Sequence, residues 1–201
     1  MKIIENGTIT DVKGIKATGI SAKLKKSGKK DMALIYSEEK AVSAAVFTKN
    51  LAKAAPIILD IKHIKNENTQ AIVVNSGNAN SCTGNTGLAN AKKMTELVAN
   101  KLGLKAEEVL VQSTGIIGVQ LDMGKIENGI EKVVENLSED GGIDAATAIM
   151  TTDTFVKQIC LEIEIDGKKA KVAGMCKGSG MIHPNMATML SFTVTDVNIE
   201  K

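Results

Sequence analysis

The sequence is poor in the residues on which several classes of function depend. It has no tryptophan, one tyrosine (Tyr36) and three phenylalanines (Phe47, Phe155 and Phe192), so it offers few platforms for unstacked bases. Lysine and arginine together number 25 against 23 acidic residues, a net charge of +2 that is too balanced to mark a polyanionic partner. Both features argue against nucleic acid as a partner. No apolar run approaches the roughly 18 residues of a membrane span, and Met1-Lys2-Ile3-Ile4-Glu5-Asn6 lacks the apolar centre of a signal peptide. A cytoplasmic chain without a membrane partner is the expectation. The three cysteines, Cys82, Cys160 and Cys176, are widely spaced with no Cys-x-x-Cys pair, and only His63 and His183 could assist them. Neither a disulfide framework nor a bound metal is expected.

What is present suits one compact body or two small ones: 201 residues, 43% hydrophobic and 24% charged. Only Pro56 and Pro184 interrupt the chain as prolines, and there is no internal repeat, low-complexity tract or clear linker. Lys23 to Lys30 holds five lysines in eight residues around Ser27-Gly28, a run that reads as a solvated turn rather than a phosphate patch.

The pattern of apolar residues interleaves strands and helices. Ala71-Ile72-Val73-Val74 is a short β-branched run that breaks into Asn75-Ser76-Gly77-Asn78-Ala79-Asn80, which reads as a buried strand entering a polar loop. Leu88, Ala91, Met94, Leu97, Val98 and Leu102 then recur at helical steps, with Gly103 placed for a left-handed C-terminal cap. Val109-Leu110-Val111 reads as the next strand, Ser113-Thr114-Gly115 as a polar turn, and Met123, Ile126, Ile130, Val133, Val134 and Leu137 as a helix whose N-cap is Asp122. Ile159, Leu161, Ile163 and Ile165 alternate with Cys160, Glu162 and Glu164, which predicts a strand with its isoleucine side in the core. Asp166-Gly167 closes a hairpin there, and Ala170, Val172 and Gly174 continue the returning strand. The fold class expected is α/β, with interleaved helices and an antiparallel hairpin.

After that hairpin comes Lys177-Gly178-Ser179-Gly180-Met181-Ile182-His183-Pro184-Asn185-Met186-Ala187-Thr188-Met189-Leu190. Lys-Gly-Ser-Gly lacks the spacing and terminal Lys-Ser/Thr of a Walker phosphate loop. His183 precedes a proline in an expected turn, which favours a structural or exposed role over that of a general base.

This stretch, with four others in the same order, resembles the ornithine acetyltransferases, also called glutamate N-acetyltransferases, of the cyclic route of arginine biosynthesis. The others are Gly14-Ile15-Lys16-Ala17-Thr18-Gly19-Ile20, Val74-Asn75-Ser76-Gly77-Asn78-Ala79-Asn80, Ser113-Thr114-Gly115-Ile116-Ile117-Gly118 and Met150-Thr151-Thr152-Asp153-Thr154. The resemblance runs along essentially the whole chain. It implies a layered α/β sandwich of the self-processing ornithine acetyltransferase type, with cleavage between Ala187 and Thr188 and Thr188 freed as an N-terminal nucleophile. A threonine hydroxyl is a weak nucleophile, but an N-terminal threonine carries an amine of pKa near 8 that can accept its proton. By the same resemblance Thr114 and Gly115 supply the oxyanion donors that acyl transfer needs. The resemblance also implies that Thr151, Lys177 and Thr188 contact the amino-acid substrate, Lys177 being a suitable partner for a carboxylate. Asp153 receives no role.

The implied reaction is a double displacement: Thr188 takes acetyl from N2-acetyl-ornithine, releases ornithine, and passes the acetyl to glutamate. No cofactor is implied, although some members of the family also take acetyl-CoA as donor. The implied partners are N-acetylornithine, glutamate and a complementary β chain in an α/β hetero-oligomer. Residues 1–187 would be the α-chain domain and 188–201 the start of the β chain, because family precursors run well beyond this point while 14 residues follow Ala187 here. A chain of this extent is not expected to turn over N-acetylornithine alone. Two other functions remain open: a self-processing N-terminal-nucleophile amidohydrolase or aminopeptidase, which passes its acyl group to water, and a shortened, non-catalytic module.

Overall fold

A computed structural model describes residues 1–66, 68–178 and 189–199. Within them the chain builds two four-stranded sheets separated and flanked by helices. The strands are β1 (Lys2–Ile4), β2 (Ile15–Ile20), β3 (Met32–Ala41), β4 (Thr69–Asn78), β5 (Val109–Ile116), β6 (Lys157–Ile165), β7 (Lys168–Lys177) and β8 (Leu190–Thr195). The helices are α1 (Ala55–His63), α2 (Gly84–Leu102), α3 (Met123–Glu135) and α4 (Gly142–Ala148). One sheet has the order β2-β3-β4-β5, antiparallel except for the parallel β4–β5 pair; the other has the order β1-β6-β7-β8 and is antiparallel throughout. This is the expected layered α/β architecture.

Two cores hold the layers together. On one face of the first sheet, Met32, Leu34, Ala71, Val73 and Val111 meet Leu59 of α1, Met94 and Val98 of α2, and Ile126, Ile130 and Val133 of α3. The other face, with Ala17, Ala33, Ile35 and Val74, packs on Ala145, Ala146 and Ala148 of α4, and beyond them on Cys160, Ala173, Met175 and Phe192 of the second sheet. The helical spacing read from the sequence holds: Gly103 caps α2 at φ 70°, and the Asp122 carboxylate accepts the Lys125 N–H at the start of α3. The hairpin also holds, with Asp166 and Gly167 both at positive φ.

Three local expectations are corrected. First, β4 does not stop at Val74. Asn75, Ser76 and Gly77 stay in the ladder opposite Ser113, Thr114 and Gly115, so the polar loop and the polar turn of the sequence reading are the paired ends of two parallel strands. Asn75, Ser76 and Ser113 tolerate this because their side chains find partners: Ser113 Oγ donates to Asn75 Oδ1 at 2.6 Å, and Ser76 Oγ to the Ala148 carbonyl at 2.5 Å. Second, the inward face of β6 and β7 is the opposite one. Cys160 is fully buried while Ile159 is 48% exposed, and Ala173 and Met175 are buried while Ala170, Val172 and Gly174 are only partly so. Alternation gives the two faces of a strand but not which one a neighbouring layer will cover. Third, the lysine run is not all solvated, since Lys25 is half-buried.

The open edge of β5 is covered by α1. Asp60 accepts the Val111 N–H at 3.0 Å and the Gln112 side-chain amide at 2.7 Å, and His63 Nδ1 lies 2.8 Å from the Val109 carbonyl, where it can donate as the Nδ1–H tautomer. Two helical side chains three residues apart thus satisfy alternate outward-facing groups of an edge strand. Burial, opposed by these two N–H donors, pushes the Asp60 carboxyl up to about 7.

Candidate active site

The ends of β4, β5 and β7 meet the segment that follows α4. Thr114, half-buried, and Gly115, exposed, form the last turn of β5, opposite Ser76 and Gly77. Gly115 has φ 134°, and a Cβ on it would lie 2.3 Å from the Gly77 carbonyl carbon, so only glycine fits there without displacement. Gly77 has φ 103°, and a Cβ on it would lie 3.1 Å from Lys25 Cγ. The stem of Lys25 therefore lies over the end of β4.

Lys25 is aimed there by a buried carboxylate. Asp31 is fully buried and accepts the N–H groups of Ala22, Leu24 and Lys25 at 2.6, 2.7 and 2.8 Å, which folds the lysine-rich loop back on the entry to β3. The Lys25 ammonium then donates to the Lys30 carbonyl at 2.8 Å and to the Met150 carbonyl, 125 residues away, at 2.7 Å.

Thr151 follows Met150 directly, and its N–H donates to Asp153 Oδ2 at 3.2 Å. Asp153 Oδ1 accepts the Gly178 N–H at 2.9 Å and the Lys157 ammonium at 2.8 Å. Burial pushes the Asp153 carboxyl up, but these donors and the Lys157 charge together outweigh it and hold it below the ordinary carboxylate range. The side chain is 2% exposed. Asp153 joins the Thr151 segment to the end of β7, where Lys177 is 4% exposed. Burial lowers the Lys177 ammonium from its ordinary value; Asp153 opposes that shift and Lys157 adds to it.

Four of the site residues expected from the sequence are thus placed. Lys25, lying over Gly77, joins the end that bears Thr114 and Gly115 to the Thr151 segment, and Asp153 joins that segment to Lys177. Ala187 and Thr188, with His183, lie outside the described residues, and so does the boundary expected at residue 187. Gly178 lies beside Asp153, while Ser179 and Gly180 also fall outside. Lys25 and Asp153 are the residues that sequence reasoning missed. Asp153 stood in a quoted motif, and its partners could have been sought; nothing in a run of five lysines singles out Lys25. Among the described residues no group of three His, Cys, Asp or Glu side chains could hold a metal, and no helix is long and apolar enough to cross a membrane.

The two layered sheets are the fold of the ornithine acetyltransferases. The chain aligns with the arginine biosynthesis bifunctional protein ArgJ of Bacillus halodurans at a TM-score of 0.86 and 40% identity, over 94% of this chain and 97% of that one. It aligns with the ornithine acetyltransferase of Mycobacterium tuberculosis, solved in complex with ornithine, at 0.84 and 38%, over 91% and 97%. Residues 16–201 match the ArgJ family, and the chain belongs to it. The arginine biosynthesis bifunctional protein ArgJ of Caldanaerobacter subterraneus subsp. tengcongensis is 54% identical over all 201 residues, and that of Clostridium acetobutylicum 52%. In both cases the chain spans 49% of the relative's length.

Proposed function

We propose that this chain forms part of a bifunctional arginine-biosynthesis acetyltransferase that moves an acetyl group from N2-acetyl-ornithine to glutamate through Thr188. The observation that carries the reading is the convergence of residues 114–115, 151 and 177, distant in sequence, around Gly77, Lys25 and Asp153. The tuberculosis homologue is an ornithine acetyltransferase bound to ornithine, which supports the substrate class.

The chemistry has two stages. In the first, the Thr188 hydroxyl adds to the Ala187 carbonyl and the amide nitrogen leaves, so the peptide becomes an ester that water opens. The Thr188 amine is then free. In the second, that amine accepts the hydroxyl proton as the oxygen attacks the acetyl carbonyl of N2-acetyl-ornithine; ornithine leaves with a proton on its nitrogen. The α-amine of glutamate attacks the acetyl ester, restoring the hydroxyl and giving N-acetylglutamate. Each attack creates an oxyanion. The Gly115 N–H and the Thr114 hydroxyl, at the end of β5, are the donors this reading assigns to it. Lys177 meets the substrate carboxylate, and Thr151 supplies a further hydrogen bond.

The protein acts in the cytoplasm with a complementary β chain; acetyl-CoA as a second acetyl donor belongs to the proposal on the strength of the resemblance alone. Trapping decides the main point. Incubating the full-length enzyme with radiolabelled N2-acetyl-ornithine and quenching should give an acetyl ester on Thr188 that ornithine or glutamate discharges. Discharge by water at the same rate, with no acceptor dependence, would instead mark an amidohydrolase.

A further inference from the structure

Lys25 belongs to no part of the mechanism above, yet its ammonium lies between the two halves of the site. It donates to the Met150 carbonyl at 2.7 Å, one residue before Thr151, while its stem covers Gly77, whose neighbour across the ladder is Gly115. Its own backbone is fixed by Asp31. The surrounding charges are Lys29, Asp31, Asp153 and Lys177. Each carboxylate of this group is already occupied: Asp31 by three backbone N–H groups, and Asp153 by two backbone N–H groups and Lys157. Asp153 is the one carboxylate of the described residues that acts on Lys177. Neither carboxylate is therefore free to pair with the Lys25 ammonium, which donates to two backbone carbonyls instead.

We infer that Lys25 is a positioning residue for the amino-acid substrate: its ammonium pins the Met150–Thr151 turn against the β4–β5 end. The inference rests on the functional reading above. Without the Lys25 donation the turn loses its tie to the Lys25 loop and Thr151 loses its place. Binding then suffers more than the chemical step, because the oxyanion donors sit on β5, which α1 holds independently.

The test uses full-length enzyme with Lys25→Met, which keeps the stem over Gly77, and Lys25→Arg, which keeps charge and donors. Losing hydrogen bonds from a charged donor corresponds to a rise of about tenfold to a hundredfold in KM for N2-acetyl-ornithine and glutamate in Lys25→Met. Here kcat should stay within about threefold, and Lys25→Arg should restore most of the KM. An unchanged KM in a folded Lys25→Met enzyme, a loss confined to kcat, or no rescue by arginine would overturn the assignment. Should Lys25→Met fail to fold, Lys25→Gln, with one remaining donor, carries the same comparison. A second measurement needs no activity: in this chain, amide exchange at Thr151 and Asp153 should quicken in the variant while β6 and β7 keep their protection. Equal exchange would overturn the pinning. If the unaltered enzyme transfers no acetyl, the functional reading fails by itself, and the exchange result still decides what Lys25 holds.

Discussion

Gly77 and Gly115 face each other in the parallel register of β4 and β5, so closely that a Cβ on Gly115 would come within 2.3 Å of the Gly77 carbonyl carbon. The close approach brings the end of β5 against the strand end that Lys25 covers. Gly115→Ala should therefore cost at least about 1–3 kcal/mol from its positive φ alone, and strand separation should add to that. Urea unfolding of the chain reads the loss directly. A midpoint equal to that of the unaltered chain would show that the two strand ends part without cost.

Thr114 tests the oxyanion assignment without touching the backbone. Removing one such donor typically lowers turnover about a hundred- to a thousandfold, so Thr114→Ala in the full-length enzyme should slow acetyl transfer by that order while its melting temperature stays the same. Unchanged turnover would leave Thr114 as a residue of the β5 end and nothing more.

Thr188 is assigned two jobs, and one substitution separates this from coincidence. Thr188→Ala should abolish self-cleavage and acetyl transfer together, because one hydroxyl performs both. Intact mass gives the first readout and acetyl transfer to glutamate the second. Retention of either activity removes Thr188 from that role.

Asp60 supplies a pH dependence of stability. Its carboxyl is raised from 3.8 to about 7 in the folded chain, so the folded state holds a proton there that the unfolded state has released. That stability is fully present below pH 4, declines as pH rises toward about 7, and is absent above. Asp60→Asn keeps an acceptor for the Val111 N–H and cannot ionise, so its unfolding midpoint should lose this decline and exceed that of the unaltered chain at pH 8. Denaturant melts at pH 5 and pH 8 provide the comparison; a decline preserved in the variant would assign it to another group.

The sequence by itself determined the class and part of the elements, while β1, β2, β3, α1 and α4 were not read from it. Periodicity placed α2 and α3, their caps at Gly103 and Asp122, and the Asp166-Gly167 hairpin, because these depend on residues within one or two turns of each other. Five ordered motifs gave the family and the candidate residues Thr114, Gly115, Thr151 and Lys177. Tertiary structure alone decided which face of β6 is buried: Cys160 rather than Ile159 enters the core because Ile9, Val12 and helix α4 lie on that side. It also decided that Asn75–Gly77 and Ser113–Gly115 are strand, since a polar run stays extended only when a partner strand takes its backbone groups. The same holds for Lys25. Five lysines in eight residues are equivalent in sequence, and the one that enters the site is chosen by the Asp31 carboxylate that folds the loop and by a carbonyl 125 residues away.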